Sequence, residues 1–224
     1  MKRGIVMKEK NQFAYPTMLS LTNKKCVLIG GGAVAFRKLK TLTDCGANVT
    51  LIAPKFSDEI LKFKDNVTLK HREYEQKDLE GAFLVVAATD NFEINRQISK
   101  AAPCLVNNIT EPEYSNFIVP SSFSKGSISV SLATGGVPAF TRKLKQYFEN
   151  SLPDSFVEFN DFLKEQRIII KNIPSTSAER TAFWREALND DVFQLLEQGE
   201  TLLAKEKFLN AVDCFRSKSQ NGSR

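Results

Sequence analysis

Among its 224 residues the chain has one histidine, one tryptophan, three methionines and four cysteines. These scarcities exclude several kinds of protein. The single histidine, His71, sits among charged neighbours in Lys70-His71-Arg72-Glu73, the pattern of a solvated strand edge. No histidine-based metal centre can be assembled from it, and no metal is expected. Cys26, Cys45, Cys104 and Cys214 are far apart and form no C-x-x-C pair, so small buried thiols in a reducing compartment are predicted rather than disulfides. No apolar run approaches the roughly twenty residues that cross a bilayer. Met1 to Lys8 carries charge but too few apolar residues for a signal peptide, so the expected location is the cytoplasm, without membrane attachment.

What is present is basic charge, 31 lysines and arginines against 26 acids, a formal net charge of +5. Such a balance suits an acidic partner, whether nucleic acid, an anionic surface or a small polycarboxylate. No arrangement of aromatics and lysines resembles a nucleic-acid motif, so nucleic acid is not expected.

The most informative stretch is Cys26-Val27-Leu28-Ile29-Gly30-Gly31-Gly32-Ala33-Val34-Ala35-Phe36-Arg37-Lys38, a short apolar strand that runs through a glycine turn into a helix. As G-x-G-x-x-A, Gly30 permits the tight turn, Gly32 admits backbone N–H groups to a pyrophosphate, and Ala35 lets the helix pack on the strand. Leu39 and Leu42 continue at helical spacing to a C-cap at Gly46, and Asn48 to Pro54 forms the next strand. A βαβ unit with a dinucleotide site is predicted.

Val67 to Lys70 reads as a third strand, the apolar run Phe83 to Asp90 as a fourth buried on both faces, Asn91 to Lys100 as a helix, and Cys104 to Asn108 as a fifth strand. From Asn116 the pattern changes. Phe117 to Pro120 and Ile128 to Leu132 look like strands, the second preceded by a turn at Ser124-Lys125-Gly126. A second glycine loop, Ala133-Thr134-Gly135-Gly136-Val137-Pro138, leads into a basic helix from Ala139 to Phe148. Beyond Pro153 only helical spacing survives, with Phe156, Phe159, Leu163, Ile170, Phe183, Trp184, Leu188, Phe193 and Leu196 read as packing against the rest of the chain or a second subunit; Ser219 to Arg224 reads as a frayed polar tail.

Gly30 to Lys38, Gly46 to Pro54, Ala87-Ala88-Thr89-Asp90 and Asn116 to Pro120 closely resemble the precorrin-2 dehydrogenase family, which includes the N-terminal module of siroheme synthase. The resemblance covers approximately residues 15 to 150. With the pattern readings above it gives an α/β fold in three parts: a Rossmann-type, mostly parallel sheet domain over residues 1–115, a small α+β dimerisation and substrate-loop segment over 116–150, and a helical C-terminal subdomain over 151–224, which resembles the family only in general character. It also implies NAD-dependent oxidation of precorrin-2 to sirohydrochlorin in siroheme synthesis by a homodimer, with iron insertion in some members. By position it assigns Gly30, Gly31, Gly32, Ala33, Val34, Pro54, Lys55, Thr89 and Asp90 to the cofactor.

The residues alone leave NAD against NADP open, because Ala53-Pro54-Lys55 lacks the carboxylate that usually holds the ribose diol and Lys55 would attract a 2′-phosphate. The resemblance favours NAD. The substrate it implies is a polycarboxylate tetrapyrrole, for which Arg37, Lys38 and Lys40 and, after the second loop, Arg142, Lys143 and Lys145 offer cations. Arg37, Lys38, Asn107, Thr110, Thr134 and Arg142 are the candidate substrate residues.

Thr110 stands where relatives carry an aspartate, and a threonine is no base at neutral pH, so the catalytic base is unassigned and the ferrochelatase role is weakened. Glu111 next to it reads as a surface glutamate, and Thr134, where some relatives carry serine, as a loop-capping hydroxyl. Two alternatives stand beside the dehydrogenase: a bifunctional dehydrogenase and ferrochelatase, and a nucleotide-sensing binding module without turnover.

Overall fold

The computed structural model describes residues 15–63 and 67–221. The N-terminal stretch Met1 to Lys8 and the last residues of the polar tail, 222–224, lie outside the described residues. The chain divides into two compact units, one ending at Val119 and the other beginning at Pro120.

The first unit is a five-stranded sheet of order β3-β2-β1-β4-β5 in which every neighbouring pair is parallel. Its strands are β1 (Lys25–Ile29), β2 (Asn48–Ala53), β3 (Val67–His71), β4 (Leu84–Ala87) and β5 (Leu105–Asn108). Between them run α1 (Ala33–Asp44), α2 (Asp58–Lys62), a 3-10 turn at Gln76–Leu79 and α3 (Phe92–Ala101), with a second 3-10 turn at Pro112–Tyr114 after β5.

Alternation along each strand splits the core between two faces. Cys26, Leu28, Val49, Leu51, Leu84 and Val86 meet Ala35, Leu39 and Leu42 of α1 and Ile60 of α2. Val27, Ile29, Ile52, Val85, Ala87 and Val106 face the other way, toward Leu79 and Ile98. Both faces being covered explains why β1 and β4 read as unbroken apolar runs. The predicted fourth strand stops at Ala87, and Ala88, Thr89 and Asp90 form the loop at its C-terminal end.

The second unit pairs β6 (Ser121–Lys125) with β7 (Ile128–Leu132) as an antiparallel hairpin and follows with α4 (Pro138–Ser151), α5 (Asp154–Lys171), α6 (Ser177–Ala187), α7 (Asp190–Glu197) and α8 (Thr201–Asn221). Phe159, Ile170, Phe183, Val192, Leu196 and Phe208 form the core of the last four helices. Phe193 is exposed outside that core and meets Phe156 edge-on.

The expected strand at Phe117 to Pro120 is absent. Phe117 packs against the sheet core of the first unit, and Pro120 has no N–H to donate to a ladder. The strand falls instead on Ser121–Lys125, where only Phe123 is buried and serines alternate with it. Ser124 and Lys125 therefore belong to β6, and the hairpin turns at Gly126 and Ser127, with Gly126 at φ 56°. The thiols are free, but only Cys26 is fully buried, and burial pushes its pKa up to about 11. Cys45, at the C-cap of α1, and Cys214, on α8, are exposed, against expectation.

Candidate functional site

A cavity of about 1170 Å³ opens at the C-terminal ends of β1, β2 and β4, where ligands of open parallel sheets bind. The glycine loop forms one wall. Gly30 adopts φ 133°, and a Cβ there would lie 2.1 Å from the Ala88 carbonyl oxygen. A Cβ on Gly31 would lie 1.9 Å from the Lys55 carbonyl oxygen. The loop is therefore wedged between the segments that follow β4 and β2. Hydrogen bonds hold it there: Gly30 N–H donates to the Ile52 carbonyl at 2.9 Å, Ser57 N–H to the Gly31 carbonyl at 2.8 Å, and Ala88 N–H to the Ile29 carbonyl at 2.7 Å.

Gly32 differs from its neighbours. A Cβ there would meet nothing within 4 Å, so this position borders open space. Gly32 is the N-cap of α1, which has no side-chain cap and no acid in its first turn. The first free N–H groups of the helix, with its positive dipole end, are thus left for an outside anion. An open, uncapped helix start on a cavity of this volume fits a dinucleotide pyrophosphate.

The cavity brings together Gly30, Gly31, Gly32, Pro54, Lys55, Thr89 and Asp90 of the cofactor candidates; Ala33 and Val34, on the first turn of α1, do not line it. It also takes in Ser57, Glu73, Tyr74, Gln76, Gln97 and Lys100, which the motif did not point to. Ser57, the N-cap of α2, lines the cavity, and the backbone of Glu59 first and then the Ser57 side chain hold the Glu59 pKa below its usual value.

Behind Thr89 lies a buried polar network. Asn95, fully buried on α3, accepts at Oδ1 from Thr89 N–H at 3.2 Å and from Thr89 Oγ1 at 2.7 Å. Its Nδ2 donates to the Thr89 carbonyl at 2.9 Å and to Thr110 Oγ1 at 3.1 Å. Thr110 Oγ1 in turn donates to Asn108 Oδ1 at 2.8 Å. One side chain therefore ties the loop after β4 to the loop after β5. The sequence carries a signal for this, a polar residue beside Ile94 and Ile98 on the apolar face of α3.

Glu111 is not the solvated glutamate its position suggested. Its carboxylate is held in a fork by Arg96, with Nε donating to Oε2 at 2.7 Å, and Arg96 lies over the Tyr114 ring. The Arg96 guanidinium holds the Glu111 pKa below its usual value. Neither Thr110 nor Asn107 lines the cavity; Asn107 Nδ2 donates to the Phe117 carbonyl at 3.4 Å. On α1, Arg37 is exposed and Lys38 half-buried, with burial first and then Arg37 lowering the Lys38 pKa.

In the second unit Thr134 Oγ1 bonds the Thr141 hydroxyl and the Val137 carbonyl, capping its own loop, and Arg142 is exposed on α4. His71 ends the edge strand β3, exposed, its ring 4.5 Å from that of Phe56.

The parallel sheet, the glycine loop and the uncapped helix start define an NAD(P)-binding protein of the Rossmann type. Residues 17–121 match a family described as NAD(P)-binding. The siroheme synthase of Methylobacillus flagellatus is 34% identical over 185 residues, covering 80% of this chain and 38% of that protein. The siroheme synthase of Thioalkalivibrio sulfidiphilus is 31% identical over 206 residues, covering 89% of this chain and 42% of that protein. A solved structure described as SirC, precorrin-2 dehydrogenase, superposes with a TM-score of 0.71 at 26% identity, covering 89% of this chain and 99% of that one. The chain is thus similar to a precorrin-2 dehydrogenase and to siroheme synthases, and it spans about two fifths of the length of these siroheme synthases.

Proposed function

We propose that this protein catalyses NAD-dependent oxidation of precorrin-2 to sirohydrochlorin in siroheme synthesis. The observation that carries this is the open, uncapped start of α1 on the sheet-end cavity, in a chain similar over nearly its whole length to a precorrin-2 dehydrogenase. NAD, when bound, supplies the acceptor for the hydride that leaves the substrate.

The chain's own part is binding and orientation. The Gly30 to Gly32 loop and the first N–H groups of α1 hold the pyrophosphate, and Pro54, Lys55, Thr89 and Asp90 line its flanks. Arg37 and Lys38 supply cations for substrate carboxylates. Arg142, exposed on α4, is assigned by the same charge argument, and the assignments of Asn107, Thr110 and Thr134 to the substrate rest on the resemblance alone. The proton that accompanies the hydride goes to a group or water that stays unassigned; the Thr110 hydroxyl is committed to Asn108 and Glu111 to Arg96.

The protein is a homodimer in this reading. Support comes from α4, which buries none of its residues within the chain and leaves Phe140, Tyr147 and Phe148 exposed. No described helix is long and apolar enough to cross a membrane. The exposed free thiols of Cys45 and Cys214 suit the reducing cytoplasm.

The test is an anaerobic assay of purified protein with precorrin-2 and NAD, read by the absorbance of sirohydrochlorin. Product formation that needs both protein and NAD is expected; its absence would overturn the proposal. Adding ferrous or cobaltous ion afterwards tests the bifunctional alternative, which fails if metal enters no faster than without protein.

A further inference from the structure

Binding NAD leaves one requirement that the glycine loop does not meet. Sites of this kind place an acidic side chain at the end of the second strand, where it accepts from the ribose 2′-hydroxyl of the adenosine half. Here β2 ends at Ala53 and continues into Pro54 and Lys55. Two acids line the cavity, Glu73 and Asp90. The sheet order β3-β2-β1-β4-β5 puts them on opposite sides of the glycine loop: Asp90 follows β4, whereas Glu73 follows β3, on the β2 side where the adenosine ribose belongs.

We propose that Glu73 supplies the missing carboxylate and selects NAD over NADP, an assignment that rests on the cavity being the NAD site. The segment that carries Glu73 is fixed on both sides. Arg72 grips Asp78 with two bonds, Nη1 to Oδ2 at 2.7 Å and Nη2 to Oδ1 at 2.6 Å, and donates to the Glu73 carbonyl at 2.8 Å. Glu75 N–H donates to Asp78 Oδ2 at 3.0 Å, and Tyr74 packs against the core cluster that contains Leu79 and Ile98.

The acids around Glu73 are spent. Asp78 is buried under Arg72 and Lys70, and Glu75 pairs with Lys77 and Arg72. The Glu73 carboxylate has no ion pair or hydrogen bond among the described residues. It is thus a free acceptor on a hydrogen-bonded segment that lines the cavity. Lys55 lines the same cavity and favours a 2′-phosphate, which a carboxylate repels, so the nucleotide preference reports which of the two prevails.

Calorimetric dissociation constants for NAD, NADP and an NAD analogue lacking the adenosine 2′-hydroxyl, measured on the parent and on Glu73→Gln without substrate, test this. The parent should bind NAD about tenfold more tightly than the deoxy analogue or NADP, the size of one charge-assisted hydrogen bond. Glu73→Gln should bind NAD and the deoxy analogue nearly alike and gain affinity for NADP. If Glu73→Gln keeps the parent's discrimination, the assignment is wrong although the NAD reading stands. If the parent binds none of the three nucleotides, the NAD reading itself falls, and the assignment with it.

Discussion

The Thr110 hydroxyl accepts from Asn95 and donates to Asn108, so its lone pairs and its proton serve the loop after β5. It is a tie between loops in place of an acid. Thr110→Ala should therefore keep kcat/KM within about tenfold of the parent, and a fall of about 10³-fold would reveal a catalytic role. Glu111→Gln should also keep activity while lowering Tm, because it removes the charge that anchors Arg96. At Asp78 the effect is on pH dependence. Arg72, then Lys70 and the Glu75 N–H, hold this carboxyl well below the usual carboxylate range. A depressed folded-state pKa contributes stability that is present above about pH 4 and is lost as pH falls below it. Denaturant melts between pH 7 and pH 2.5 should show that acid loss in the parent and much less of it in Asp78→Asn, which should also cost about 2 kcal/mol at pH 7 through weakened charge-assisted bonds.

At the scale of elements, the glycine loop separates packing from binding. Gly31→Ala would drive a methyl into the Lys55 backbone, so it should lower Tm by several degrees, if the protein folds at all. Gly32→Ala projects into open space at φ −95°, a conformation alanine adopts freely, and should cost less than about 1 kcal/mol as an N-cap change. NAD affinity should nevertheless fall, since the methyl borders the pyrophosphate position. Thermal melts with and without NAD distinguish the two. Equal stability losses in both variants would contradict the assigned geometry.

The same scale shows what was legible in the sequence. The strands β1, β2 and β4 and the helix α1 announce themselves because two-sided burial demands unbroken apolar runs and the turn demands glycine. The strand β6 escaped because its outward serines hide the alternation around a single buried Phe123. Glu73, Gln76, Gln97 and Lys100 belong to the cavity only because the segment after β3 and the helix α3 converge there, which no local pattern encodes. Glu111 misled because its partner Arg96 lies a helix and a strand away.

For the whole molecule, the exposed face of α4 carries the expectation of a dimer. Light scattering should give twice the chain mass for the parent, and Phe140→Asp combined with Tyr147→Glu should shift it to the monomer mass. A parent that runs as a monomer at micromolar concentration would remove the dimer from the proposed function.

The sheet order also constrains how the first unit can form. β1 is the central strand, flanked by β2 on one edge and β4 on the other, while β3 and the 3-10 turn intervene in the chain before β4. During synthesis the first βαβ unit emerges with Cys26 to Ile29 still presenting an unpaired edge and one uncovered apolar face. Closure waits for Leu84 to Ala87 and for Ile98 on α3 to arrive, so that edge and face stay open to other chains until the non-local β1–β4 pairing forms.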